Sequence, residues 1–404
     1  MTVLRPIRED ELTAFTDQLS RAFQGRPASP EWLERTRRQR ELDRTLAAFE
    51  DGALVATAAA ISFELTVPGA LTPMAGVTAI SVLPTHRRRG LLRTLMRRQL
   101  DDIHERGEAL AGLWASEAQI YGRFGYGLAT YSASVTIASH RSAFAFPFED
   151  PGSVVLAAAE QARAAAPGAW EMLRRAQPGM LELTDVYWDL RFQESEATRD
   201  RLGELRCAIH ELGGSCDGFA IFRQRMDWNR DKSSLLVEQL VAGSPAAYAA
   251  LWRFCLDVDL VGWVEASDRP PVEPLPHLLA DARAALPTVS DGTWLRLVDV
   301  PRALAARRYS AGGELVLAVR DEFCSWNQGV YELAGGPQGA ECRPSSRPPD
   351  LELSAAELGA VYLGGNTFRT LAGAGRVSEV SEGALDRADA MFHWPVVPWN
   401  PTHF

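Results

Sequence analysis

Cysteine is scarce in this 404-residue chain. The five cysteines (Cys207, Cys216, Cys255, Cys324 and Cys342) are odd in number, far apart, and form no C-x-x-C pair or zinc-type spacing with histidine. That speaks against a disulfide framework and against bound metal. Long apolar runs are also missing: although 46% of the residues are hydrophobic, none of the runs approaches the roughly 18 residues a membrane helix needs. A soluble protein with no membrane partner is expected. Positive charge is in the minority, with a net charge of −10, which disfavours nucleic acid as a partner. The N-terminal stretch Met-Thr-Val-Leu-Arg-Pro-Ile-Arg-Glu-Asp has no signal-peptide core or cleavage site, so a cytoplasmic location is expected.

Two familiar phosphate loops are absent as well. No Gly-Lys-Ser/Thr follows a glycine-rich turn, and the three spaced glycines of a dinucleotide fingerprint are missing, which sets aside nucleoside triphosphates and dinucleotides. What the chain does contain is Ile80-Ser-Val-Leu-Pro-Thr-His-Arg-Arg-Arg-Gly-Leu-Leu-Arg93, an apolar strand joined to a helix through a basic turn. Such a turn presents unpaired N–H groups and the positive end of the helix dipole, while Arg87, Arg88, Arg89 and Arg93 add fixed charge. Gly90 permits close approach of the backbone. The pattern resembles the Arg-x-x-Gly-x-Gly/Ala loop with which the GNAT superfamily holds the pyrophosphate of acetyl-CoA. Arg87, Gly90 and Leu92 occupy the matching positions, Leu92 departing from the usual small residue.

The element order agrees. Leu12, Phe15, Leu19 and Phe23 predict an amphipathic helix over 10–23, followed by Trp32 and a charged helix. Strands are expected at 46–51 and 54–67, with a third ending near Val82; then a helix with Leu91, Leu92, Leu95, Met96, Leu100 and Ile103 on its apolar face, a strand over 109–115, a short helix carrying Tyr121 and a last strand from Gly127. A second section repeats this outline: a strand to Met226, a polar turn at 227–233, a strand over 235–241, and a helix opened by Ser244-Pro245. Its strand-to-helix link, Ala242-Gly-Ser-Pro245, has no arginine and a proline without an N–H, so this copy should not bind CoA. A third, α+β section starts near Asp291, with strands at 294–299, 314–320, 329–333 and 349–353 and helices at 301–308, 354–363 and 381–392. It ends in a tail, Pro395 to Phe404, stiffened by recurring prolines. Domains are therefore expected at 1–145, 146–290 and 291–404.

Amide formation from a thioester needs a site for the carbonyl, a base for the ammonium proton and an acid for the departing thiolate. Backbone N–H groups at the end of the Ile80-Ser81-Val82 strand suit the carbonyl. Tyr121, opening Tyr-Gly-Arg-Phe-Gly-Tyr-Gly127, is the candidate acid, with Tyr126 as its rival. The base stays open among Glu117, Glu64 and the α-carboxylate of Phe404; His86 reads as a loop residue beside the phosphates.

Pro84 to Arg93, Ala115-Ser-Glu117, Tyr121 to Gly127, Pro274-Leu-Pro-His-Leu-Leu279, Trp294-Leu-Arg with Val300-Pro-Arg-Ala-Leu304, and Tyr362-Leu-Gly-Gly365 together resemble the Eis (enhanced intracellular survival) N-acetyltransferases. That resemblance implies tandem GNAT folds, the second without a CoA loop, then a sterol-carrier-protein-like α+β domain, in a homohexamer. It places acetyl-CoA against Ile80, Ser81, Val82, Arg88, Arg89, Gly90, Leu91, Leu92, Arg93, Ser116 and Glu117. Tyr121 matches the family's general acid and Phe404 its C-terminal base. The substrates it implies are amines of aminoglycosides, polyamines or lysine side chains. Two family features are absent: His403 stands where an acid is usual, and no acid occurs among Gly25, Arg26 and Pro27. Trp32 matches a pocket wall. The alternative considered is a non-catalytic carrier of an apolar ligand through the C-terminal domain.

Overall fold

The computed structural model describes every residue except Met1, Gln24, Arg26, Pro27 and 226–232. The polar turn expected at 227–233 therefore lies outside the described residues except for Ser233, as do Arg26 and Pro27. Among the described residues no helix is long and apolar enough to cross a membrane.

The chain opens with strands β1 (Val3–Arg5), β2 (Thr45–Glu50), β3 (Ala53–Val67), β4 (Ala70–Val82), β5 (Leu110–Trp114) and β6 (Gly127–Leu128), interleaved with helices α1 (Leu12–Ala22), α2 (Pro30–Gln39), α3 (Leu91–Glu105) and α4 (Ala118–Tyr121). Next come β7 (Tyr131–Ala138), β8 (Ser153–Ala157), α5 (Ala159–Arg174), α6 (Asp185–Phe192), α7 (Glu196–Leu202), β9 (Leu205–Leu212), β10 (Ser215–Arg225), β11 (Ser233–Ala242), α8 (Pro245–Leu256), β12 (Val261–Arg269), α9 (Leu275–Leu278) and β13 (Thr288–Asp291). The last section holds β14 (Thr293–Leu297), α10 (Val300–Ala305), β15 (Gly313–Arg320), β16 (Gly329–Gly336), β17 (Gly339–Pro344), β18 (Leu351–Ser354), α11 (Ala355–Val361), α12 (Phe368–Gly373), β19 (Ser378–Glu379) and α13 (Ala384–Phe392). Local chemistry accounts for much of this. Asp51 and Gly52 both take positive φ, 49° and 83°, as a tight hairpin between β2 and β3 requires. Leu91, Leu95, Met96, Leu100 and Ile103 form the buried stripe of α3. Phe23 departs from the expected stripe of α1: it is 57% exposed, at the mouth of two cavities described below.

The chain forms two compact units. The first, Met1–Thr130, Gly292–Pro395 and Thr402–Phe404, contains a seven-stranded sheet in the order β1-β2-β3-β4-β5-β14-β6 and a five-stranded sheet in the order β17-β16-β15-β18-β19. The second, Tyr131–Asp291 and Val396–Pro401, is built on a seven-stranded sheet in the order β13-β7-β12-β11-β10-β9-β8. Relative to the expected sections, two strands are exchanged. β7, expected to finish the first GNAT sheet, lies between β12 and β13, and β14, expected to open the third section, lies between β5 and β6. Where the chain segments pass each other, the N–H groups of Ala129 and Thr130 donate to Thr293 O at 3.0 and 3.2 Å, and Thr293 N donates to Thr130 Oγ1 at 2.7 Å. A Cβ on Gly292 would stand 2.6 Å from that oxygen, so the crossing needs glycine. Within the first unit α11 lies directly on β6 and β14: a Cβ on Gly127 would be 1.8 Å from Ala356 O, and one on Gly359 would be 2.2 Å from Leu295 O.

In the second unit, the link from β11 to α8 has a carboxylate beside it instead of arginines. Ser244 caps α8, accepting from Ala247 N at 3.1 Å, and donates to Asp217 Oδ2 at 2.6 Å, so a carboxylate stands beside the helix start. Asp217 continues to His210, Oδ1 to Nδ1 at 2.5 Å, and His210 Nε2 lies 2.9 Å from Asp150 Oδ1. His210 is fully buried. Burial alone would lower its pKa, but the hydrogen bonds and charges of Asp150 and Asp217 outweigh it and the pKa is raised. A raised folded pKa means this cluster stabilises fully below the unfolded histidine value of about 6.5 and loses that contribution as pH climbs through the folded value. Thermal denaturation of His210→Gln beside the parent chain should show a stability gap that is widest near pH 6 and narrows toward pH 9; a gap constant over that range contradicts a charged His210.

Candidate active site

The site forms in the first unit, where β4 and β5 part. Their parallel pairing covers Met74–Gly76 against Leu110–Gly112 and ends there, although β4 runs on to Val82 and β5 to Trp114. On its other edge β4 bulges: Thr57 pairs with Ser81 and Ala59 with Thr78, leaving Ala79 and Ile80 opposite one residue, with Ala79 at φ 53°. Thr57 Oγ1 fixes the bulge by donating to Ala79 O at 2.7 Å. Bulge and splay together free strand N–H groups inside a wedge.

Two cavities share this wedge. One, of about 540 Å³, is lined by the end of β4, His86, Arg87, Arg88, the start of α3 and α4 with Arg123. Arg88 and Gly90 take positive φ, 64° and 84°, which turns the loop, and α3 begins without a side-chain cap, so its first N–H groups are open to an anion. Among the described residues, the four arginines here, Arg87, Arg88, Arg93 and Arg123, outnumber a single carboxylate, Glu117. That donor set fits the anionic pyrophosphate end of coenzyme A.

The expected cofactor residues are placed unevenly. Ile80, Ser81, Val82, Arg88, Gly90, Leu91, Leu92, Arg93, Ser116 and Glu117 all line this cavity. Arg89 does not; its guanidinium pairs with Glu50 at 2.9 Å. Arg87 is tied down by main-chain acceptors, donating to Ala22 O at 3.1 Å and Val82 O at 3.4 Å. The Ser81 hydroxyl is committed to Gln18 at 2.7 Å and Thr57 at 2.6 Å, leaving its backbone for a ligand.

The second cavity, of about 380 Å³, is lined by Leu19, Phe23, Trp32, Val77, Leu113, Trp114 and, at the chain's end, Phe404. Phe23, Ile80, Ser116 and Tyr121 line both cavities, so they stand at the junction. Tyr121 is 5% exposed. Burial raises its pKa, a hydrogen bond with Ser116 pulls the other way, and the charge of Glu117 raises it further, so the phenol keeps its proton at neutral pH. Tyr126 lies in the core with its ring 6.2 Å from that of Tyr121 and lines neither cavity. Glu64 lines neither cavity, and Glu117 lines only the larger.

Long-range contacts that sequence reasoning missed hold the tail. Trp114 Nε1 donates to Thr402 O at 2.9 Å and its ring stacks on His403 at 3.9 Å. The Phe404 ring sits 5.1 Å from that of Phe63, and a Cβ on Gly76 would approach it to 3.1 Å.

Residues 3–129 match an acetyltransferase (GNAT) domain, 179–297 a second one, and 300–401 a sterol carrier protein domain. N-acetyltransferase Eis of Mycobacterium tuberculosis is 36% identical over 350 residues, covering 84% of this chain and 83% of that protein. The chain belongs to the Eis family of GNAT N-acetyltransferases. An uncharacterized N-acetyltransferase of Streptomyces coelicolor is 41% identical over 408 residues, 99% of each chain. The crystal structure of Eis1 from Mycobacterium abscessus superposes over 100% of both chains with TM-score 0.86 and 38% identity. This Eis-family chain is thus an acyltransferase built from two GNAT domains and a sterol-carrier-like domain, the α/β and α+β class expected.

Proposed function

We propose that this chain transfers the acetyl group of acetyl-CoA to a primary amine. The observation that carries this is the junction: an arginine-lined cavity and an apolar cavity meet at Tyr121, and Phe404, which matches the family's C-terminal base, lines the apolar one. Acetyl-CoA, when bound, supplies the thioester. The wedge N–H groups near Ile80 receive the carbonyl oxygen, as oxyanion donors do. The α-carboxylate of Phe404 takes the ammonium proton, freeing the nitrogen to bond the acetyl carbon; the Tyr121 hydroxyl protonates the sulfur as the C–S bond breaks, and the second proton shed by the new amide nitrogen restores the phenol. Thiol release from acetyl-CoA by the chain with a free C-terminus, read against background hydrolysis across a panel of amines, tests this. Exposed apolar residues on the edge strands β8 and β13, Leu156 and Val289, are compatible with the homohexamer proposed here, and cytoplasmic residence belongs to the same proposal.

The lining also supports an order of preference among amines. Among the described residues it contains no Asp or Glu side chain, which on this reading leaves the α-carboxylate of Phe404 to meet a substrate ammonium. A buried ammonium without a partner costs about 1–3 kcal/mol or more. Lysine side chains, with one charge on an apolar stem, suit the cavity better than aminoglycosides or polyamines. kcat/KM for a lysine peptide should exceed that for spermidine or an aminoglycoside by about ten-fold; the reverse order overturns this ranking.

A further inference from the structure

Two of the four loop arginines are already engaged by the protein. Arg89 pairs with Glu50 and Arg87 with the carbonyls of Ala22 and Val82. That leaves Arg88 and Arg93 facing the larger cavity, and with the N–H groups of α3 they match the two charges of a pyrophosphate. Coenzyme A carries a further phosphate, the 3′-monoester, with about −1.5 to −2 charge at neutral pH. His86, the remaining basic side chain of the loop, lies 3.6 Å from Glu50.

On the α4 side of the cavity stands Arg123, and we infer that it is the residue that binds the 3′-phosphate of coenzyme A. It is exposed, lines the cavity, and forms no ion pair among the described residues. Its Nε donates to Ile120 O at 2.9 Å and its guanidinium carbon lies 5.5 Å from the centre of the Phe124 ring, so the base of the fork is held while both terminal nitrogens stay available. The backbone beneath it is rigid. The buried Arg296 donates to Phe124 O and to Asp321 Oδ2, and a Cβ on Gly125 would collide with the Arg296 guanidinium. Arg123 therefore presents a fixed fork, which suits phosphate.

This inference rests on the acetyl-CoA reading of the cavity, and calorimetric titration of the full chain with coenzyme A and with 3′-dephospho-coenzyme A separates the two. The parent chain should bind coenzyme A about ten-fold more tightly than the dephospho form, as one charge-assisted contact implies. Arg123→Ala should bind both forms equally, at the parent's affinity for the dephospho form, with an unchanged melting temperature. Arg123→Lys should keep part of the preference. If Arg123→Ala weakens both ligands alike and keeps their ratio, or if the parent shows no preference, the 3′-phosphate role falls while the acetyl-CoA reading stands. If neither ligand binds the parent, both fall.

Discussion

Extending the chain by even one residue beyond Phe404 should cut turnover by about 10²- to 10⁴-fold, the range for loss of a positioned general base, while coenzyme A affinity stays within a few-fold. The base proposed here is a terminal carboxylate, and an added residue turns it into a neutral amide and carries the new carboxylate about 3.5 Å onward. The tail leaves no room to compensate. Thr402 is buried and bonded to Trp114, His403 is stacked on the same indole, and the Phe404 ring fills the space between Phe63 and Gly76. Prolines at 395, 398 and 401 lower the entropy lost in holding this conformation. Amidating the terminus of a semisynthetic chain isolates the charge without adding bulk and should give the same loss. Coenzyme A binding, measured by calorimetry in parallel, distinguishes a missing base from a collapsed site. Turnover within a few-fold of the parent in both altered chains would transfer the role to another group.

The parts of this site that could be read from sequence are those encoded over a few contiguous residues. The basic turn is one: its left-handed Gly90, its uncapped helix start and its arginines all lie within Arg87–Arg93. Tyr121 is another, because a short helix after an apolar strand fixes where its phenol goes. The exchange of β7 and β14 was not legible, since the alternation of a strand records which face is buried and not which edge accepts it. Arg89 and Ser81 show the same limit on a smaller scale. Their residue types suit a phosphate site, yet Glu50 and Gln18, 39 and 63 positions away, claim their side chains. Trp114 carried no periodic signal beyond closing a strand, and its contacts with Thr402 and His403 span nearly the whole first unit in sequence.

Tyr121→Phe should lower kcat by about 10²-fold or more, as removal of a general acid does, with KM for acetyl-CoA little changed. The contrast with Tyr126→Phe carries the assignment. Both rings belong to one core cluster, and each loses only a hydroxyl. The Tyr126 hydroxyl is fully buried with no hydrogen-bond partner among the described residues, so deleting it should leave kcat alone and cost no stability. Tyr121 lines both cavities, its hydroxyl bonds Ser116, and burial raises its pKa so that the phenol keeps its proton at neutral pH. A structural role would make the two variants alike in melting temperature and in kcat. A donor role separates them: kcat falls for Tyr121→Phe alone, and a substrate with a more acidic leaving thiol recovers part of the loss, because a better leaving group needs its proton less. Equal kcat in both variants, or no recovery with the better leaving group, would leave Tyr121 as a wall of the cavity and require another donor at the same junction, where Ser116 is the one remaining hydroxyl among the described residues.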